Sequence, residues 1–179
     1  MKCTSVDFRE LPGQNPLFLA YLEHSEKVRG LYPSPVPSEN VDQLNTRVET
    51  VLAQQRLPRH LLVESLKASY AQLGLDAPED QLEKVGRPDT VAVVTGQQVG
   101  LFGGPALTVF KAATAVSAAR YLSDLGLPAV PVFWLASNDS DFEEVRKTHF
   151  VNRSGDLLDL EVPDLRPREE QMAGTVQLH

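Results

Sequence analysis

The sequence predicts an α/β fold built on parallel strands, with a helical region ahead of it. Three observations carry that prediction. Val91-Ala92-Val93-Val94 is a short apolar, β-branched run, and Ala129-Val130-Pro131-Val132-Phe133-Trp134 is a second apolar run. Between them lie a polar, glycine-rich turn, Thr95 to Gly104, and a helix-forming stretch from Pro105 to Ser123. Two apolar strands joined by a helix of that length make a βαβ unit with parallel strands, and such a crossover is right-handed almost without exception. In open α/β sheets ligands sit beyond the carboxyl ends of the strands. The turn Thr95 to Gly104 and the polar cluster Ser137 to Asp141 both fall at that edge.

The elements ahead of the sheet follow from caps and breakers. Asn15 can cap a first helix, and Pro16 suits its first position, where no donor is needed. Gly30 is its expected stop. Leu31 to Ser38, with Pro33, Pro35 and Pro37, reads as an extended linker. Val41, Leu44, Val48 and Val51 stand at helical spacing in a helix from Val41 to Arg56. Pro58 breaks it, and Arg59 to Leu73 is the next helix, with Leu62, Leu66, Tyr70 and Leu73 on one face and Gly74 as its stop. Pro78 to Val85 is a short helix closed by Gly86. Residues 1–90 are therefore expected to be a helical N-terminal region packing on the core, and 91–179 the first part of the α/β core.

After the second strand, Asp141 to Lys147 has room for one or two helical turns. His149-Phe150-Val151 and Leu157 to Val162 are predicted strands around Arg153-Ser154-Gly155-Asp156. Leu165 to Met172 is charged and contains proline, and Gly174 to His179 is expected to start another strand. No internal repeat and no sustained heptad occurs.

The chain of 179 residues suits one domain plus an extension. With 42% hydrophobic and 23% charged residues it can form a packed core. A net charge of −7 without a basic cluster argues against nucleic acid as a partner. The single Cys3 cannot form an internal disulfide, which fits a reducing compartment. Met1 to Asp7 lacks the apolar core of a signal peptide. Leu107 to Leu122 carries Lys111 and Arg120 between loops and reads as a buried helix rather than a membrane span. A soluble, cytoplasmic protein is expected. His24, His60, His149 and His179 have no ligand spacing, so no metal is expected.

Three groups of residues could carry chemistry. The glycines of the turn, Gly96, Gly100, Gly103 and Gly104, match neither the P-loop nor the dinucleotide fingerprint. They still allow backbone amides to approach a ligand, and the helix start that follows favours an anion. On spacing alone, a turn whose glycines only satisfy backbone geometry explains them equally well. Gln97-Gln98 tilts the balance toward binding, because two adjacent amides offer donors and acceptors with little packing value. Lys111 stands alone in the first half of an otherwise apolar helix and must reach water, an acidic partner or an anionic ligand. Snorkelling to water is the plainer of those readings. In Asn138-Asp139-Ser140-Asp141, two carboxylates at i and i+2 can hold a cation, bind ribose hydroxyls or act as acid and base. Asp141, with Glu143 and Glu144, also makes a good negative first turn of a helix, so Asp139 is the better functional candidate.

These residues carry a resemblance. Thr95-Gly96-Gln97-Gln98-Val99-Gly100-Leu101-Phe102-Gly103-Gly104-Pro105, Lys111-Ala112, Thr114-Ala115 and Val130-Pro131-Val132-Phe133-Trp134-Leu135-Ala136-Ser137 resemble, without gaps, the cysteine ligase family of bacillithiol biosynthesis, also called the cysteine-adding enzyme. Arg9-Glu10-Leu11-Pro12 and Asn15-Pro16-Leu17 resemble its N-terminus more loosely. The resemblance covers most of the chain but only the N-terminal part of the family protein. It implies a Rossmann-like core similar to class I nucleotidyltransferases, continued beyond these residues by inserted segments and a dimerising coiled coil. The chain alone is then expected to be inactive, with a homodimer only for a full-length protein. The implied reaction joins cysteine to the amine of glucosaminyl malate. The implied binding residues are Thr95, Gly96, Gln97, Gln98, Gly100, Gly103, Gly104, Lys111 and Trp134, and the implied catalytic ones Asn138, Asp139, Ser140 and Asp141. The residues name no cofactor; ATP or ADP enters only through the resemblance. One departure matters. The family reads Glu-Asp-His-Asp-Phe where this chain has Asn138-Asp139-Ser140-Asp141-Phe142, and its later Asn-His falls at Arg146-Lys147. The alternatives are therefore a non-catalytic or altered-substrate binding relative, or another amide- or nucleotidyl-forming enzyme on the same core. A long continuation of the gene with heptads favours the ligase, and a stop near His179 favours the binding relative.

Asn and Ser are poor bases at neutral pH, and general acid–base help is worth about 10²–10⁴-fold in rate. In the complete gene product, the double change Asn138→Glu, Ser140→His is expected to raise the cysteine-adding rate strongly if the site has decayed. A parent as fast as its relatives, with no gain in the double variant, puts the chemistry on Asp139 instead.

Overall fold

Residues 5–23, 26–31, 41–138, 141–162 and 172–175 are described by a computed structural model. The chain divides into two units, Met1–Gln55 and Arg56–His179.

In the first unit two side chains cap helices, Asn15 as the sequence predicts and Asp7 in addition. The Asp7 carboxylate accepts from the Arg9 N–H at the start of a short 3₁₀ turn, Phe8–Glu10. The Asn15 side chain accepts from the Leu17 N–H at 2.8 Å and opens α1, Pro16–Leu22. The Glu23 N–H turns back on the carbonyls of Leu19 and Tyr21, which ends α1 well before Gly30. A second short helix, α2 (Glu26–Arg29), precedes that glycine. α3 spans Val41–Ala53. Val28 and Leu44 are buried, and the Phe8 and Phe18 rings meet edge to face at 5.3 Å. The proline linker lies almost wholly outside the described residues.

The second unit holds α4 (Arg59–Gln72), α5 (Glu79–Gly86), β1 (Val91–Gln98), α6 (Ala106–Asp124), β2 (Ala129–Ala136), α7 (Phe142–Val145), β3 (Lys147–Val151) and β4 (Leu157–Glu161). Its order in the centre is the predicted strand, turn, helix, strand. β1 and β2 pair in parallel, from Val91 opposite Ala129 to Gln98 opposite Ala136, and α6 packs on both. β3 and β4 form a separate antiparallel hairpin, with Lys147 opposite Glu161 and Val151 opposite Leu157. Asn152 closes its turn: its Oδ1 accepts from the N–H groups of Ser154 and Asp156. α4 and α5, assigned by sequence to the helical N-terminal region, belong to the same unit as the sheet.

The structure corrects two expectations. Thr95 to Gln98 is strand rather than turn, because the ladder continues while β2 runs on to Ala136. α6 is not a buried helix within this chain. Only Ala115 and Ala119 are buried on it, while Val109 and Phe110 are 71% and 70% exposed. The helix meets the sheet through small residues, and among the described residues no layer covers its far side. Ala173–Thr175 form a 3₁₀ turn, and the rest of the strand expected from Gly174 to His179 lies outside the described residues. The Gly174 N–H donates to the Ser137 carbonyl at 2.9 Å, and a Cβ on Gly174 would lie 2.6 Å from the Ser137 Cβ. Among the described residues no helix is long and apolar enough to cross a membrane.

The amino ends of the strands are held by Arg59. Its guanidinium, half-buried, donates to the Val85 carbonyl at 3.1 Å and to the Thr90 carbonyl at 2.7 Å. It thereby ties α4 to the end of α5 and to the start of β1, where Thr90, Leu82 and Val85 are buried. Arg59→Met should leave those carbonyls without their donor and cost about 1–3 kcal/mol. A urea titration should show a lower midpoint at unchanged slope. A midpoint equal to the parent's would refute this role.

Candidate functional site

The last pair of the parallel ladder is Gln98 with Ala136, so Val99 and Ser137 leave the sheet at one edge. That edge gathers the predicted residues. Side chains alternate along a strand, so Thr95 and Gln97 share one face, and Val94, Gly96 and Gln98 the other. Gly96 pairs with Trp134, which therefore stands on the face away from Gln97 and is 65% exposed. Gly96 has a packing reason of its own: a Cβ there would lie 2.6 Å from the Trp134 carbonyl oxygen and 3.0 Å from its Cβ.

The turn is narrower than the sequence suggested, beginning after Gln98. It folds tightly enough that a Cβ on Gly100 would lie 3.1 Å from the Gly104 Cα. Phe102, Gly103 and Gly104 all have positive φ, at 53°, 89° and 76°. For phenylalanine that conformation is strained by about 1–3 kcal/mol. Its ring meets Phe150 of β3 edge to face at 5.5 Å, so the hairpin braces the turn. Two of the glycine amides bond within the turn. The Gly103 N–H donates to the Gly100 carbonyl at 3.1 Å and the Gly104 N–H to the Leu101 carbonyl at 3.0 Å. What the turn leaves open is the start of α6, where the first N–H groups precede the first i→i−4 bond.

Lys111 reaches back from α6 to the end of β1. Its Nζ donates to Gln97 Oε1 at 2.7 Å and to the Gly96 carbonyl at 3.2 Å. Lys111 and Gln97 are both half-buried, so the ammonium is tied to the edge rather than snorkelling away from it. One helical turn earlier the Thr108 hydroxyl oxygen is buried without a hydrogen-bond partner among the described residues.

The acidic segment is less fully defined. Asn138 is exposed just beyond β2, and Asp141 lies directly ahead of α7, its carbonyl accepting from the Val145 N–H at 3.3 Å. That is the cap position expected of it. Asp139 and Ser140 lie outside the described residues. Arg146 ion-pairs with Glu161, and Lys147 opens β3. No three His, Cys, Asp or Glu side chains group to hold a metal ion among the described residues. The clearest pKa displacements belong to surface pairs elsewhere: the Arg9 hydrogen bonds pull Asp7 down to about 2, and the Arg87 guanidinium lowers Asp89.

Sequence reasoning missed Phe102, Thr108, Phe150 and the Ser137–Gly174 contact. A phenylalanine between glycines hints at the first; the others needed the fold.

The sequence matches the family model described as "Bacillithiol biosynthesis BshC, N-terminal Rossmann-like domain" over residues 1–179. It is 37% identical over 179 residues to the protein named "Putative cysteine ligase BshC" of Solibacter usitatus, covering 99% of this chain and 32% of that protein. Proteins of the same name from Heliobacterium modesticaldum and Koribacter versatilis are 35% and 39% identical over 163 and 142 residues, which is 86% and 78% of this chain and 29% and 26% of theirs. The chain thus spans about a third of the length of the curated relatives it matches.

Gly96→Val tests what that glycine does. The added side chain must displace the Trp134 backbone, and overpacking of that kind costs about 1–3 kcal/mol. Urea unfolding followed by fluorescence of the single tryptophan should show the loss. A variant as stable as the parent would return Gly96 to a purely ligand-facing role.

Proposed function

The chain belongs to the bacillithiol biosynthesis BshC family as its N-terminal Rossmann-like domain, and on that premise we propose that it supplies the nucleotide-binding-type portion of a cytoplasmic ligase that adds cysteine to the amine of glucosaminyl malate. The observation that carries the proposal is the match over residues 1–179 together with the Lys111 contacts at the very edge where such a sheet binds ligands. In this reading Gln97, held by Lys111, and the start of α6 bind an anionic group, a substrate carboxylate or a nucleotide phosphate. Asp139, and Asp141 beside it, serve the proton transfers of amide formation. Forming an amide from a carboxylate and an amine expels water and needs an activated carboxyl group, for which ATP is the candidate donor. The full-length protein would act as a homodimer.

A second reading, a binding relative without cysteine-adding activity, draws on Asn138 and Ser140, where the family's carboxylate and imidazole are absent.

The complete gene product is expected to form bacillithiol from cysteine and glucosaminyl malate, followed by thiol labelling and mass spectrometry with and without ATP. The 179-residue chain alone should give no turnover. Absence of product from the complete protein under both conditions overturns the ligase proposal in favour of the second reading. Turnover by the isolated chain overturns the incompleteness of this unit.

A further inference from the structure

The Lys111–Gln97 contact decides which end of the glutamine amide faces outward. An ammonium group has three donors and no lone pair, so only the carbonyl oxygen of Gln97 can face it. Nζ lies 2.7 Å from that oxygen and is held there by a second contact, 3.2 Å, to the Gly96 carbonyl. The NH₂ end of the amide is therefore turned away from the lysine. Among the described residues, none accepts a hydrogen bond from it. A glutamine without such a partner can present either end, because its terminal torsion is broad and roughly two-fold.

We propose that Lys111 is a positioning residue: it locks Gln97 with its two N–H donors outward at the carboxyl edge of β1, so that the edge accepts the oxygen of a carboxylate or phosphoryl group and disfavours an ammonium. The inference rests on the proposed ligand-binding role of that edge and adds the polarity of the group it takes. The ammonium contributes in two ways. Its charge-assisted bond to the amide oxygen polarises the N–H groups and strengthens them as donors. It also removes the ordering that binding would otherwise require of a free amide. The turn supplies little of this itself, since the Gly103 and Gly104 amides are bonded within it.

Lys111 acts here through Gln97, and a double-mutant cycle separates that from direct contact with ligand. The experiment uses the complete gene product, with calorimetry against malate, ADP, inorganic phosphate and ethanolamine. The variants are Lys111→Met, Lys111→Arg, Gln97→Met, Gln97→Glu and the double change to methionine. Gln97→Glu keeps the shape and the lysine contact but replaces the donors with a carboxylate, which guards against a merely unfolded variant. The parent should bind malate or ADP, and which of the two identifies the source of the acceptor group. Gln97→Met, Gln97→Glu and Lys111→Met should each weaken that ligand about tenfold or more. Lys111→Arg should retain most of the affinity, and the double variant should be no weaker than Gln97→Met.

Fully additive losses in the double variant, unchanged affinity in Gln97→Glu, tighter binding of ethanolamine than of the anions, or a parent that binds none of the anions each overturn the proposal. Failure of cysteine addition while the cycle holds sinks the ligase reading and leaves this inference standing. Cysteine addition with an additive cycle does the reverse.

Discussion

The parallel ladder between β1 and β2 runs without a break to Gln98 and Ala136, and the positions of Gln97, Lys111 and the glycine turn depend on where it ends. Two chains emerge from one edge because the strands finish in register. The ladder can run that far because Gly96 lacks a side chain where Trp134 comes close. A larger residue would part the strands two positions short of the edge and move Gln97 with them. The hydrogen-bonding constraint of the sheet and the steric constraint of one glycine thus set where the turn and the start of α6 stand.

Charge at this edge is handled by direct contacts rather than by exposure. A half-buried ammonium loses hydration and needs replacement acceptors. Lys111 finds them in the Gly96 carbonyl and the Gln97 oxygen, both on the final turn of backbone before β1 ends. The same contacts anchor the first half of α6 to the strand. This matters because the helix otherwise meets the sheet through small residues such as Ala115 and Ala119. The turn between them carries strain at Phe102, countered by its ring contact with Phe150 on the β3–β4 hairpin. The hairpin therefore takes part in shaping the edge although it is a separate sheet.

Family membership and local geometry answer different questions. The match over residues 1–179 places the chain in a family whose relatives are about three times as long. The geometry shows what this part has ready: an oriented amide, a tethered ammonium and a helix start. It also shows large apolar residues of α6, Leu107, Val109 and Phe110, facing outward.

The sequence by itself determined the order of elements, the parallel pairing, the edge at which polar residues collect, the cap at Asn15 and the place of Asp141 ahead of α7. These depend on local signals: β-branched runs, glycine and proline breakers, and side chains that bond their own neighbouring backbone. The family was also readable, because the run from Thr95 to Pro105 is long and specific. What only tertiary structure decided was where β1 stops, which face Trp134 occupies, where the Lys111 ammonium goes and that the Gly103 and Gly104 amides bond within the turn. Each of these depends on a partner distant in sequence: Trp134 against Gly96, Gln97 against Lys111, Phe150 against Phe102, Gly174 against Ser137. Periodicity cannot report such partners, because it records how often a residue type recurs along one segment and not what that segment meets in space.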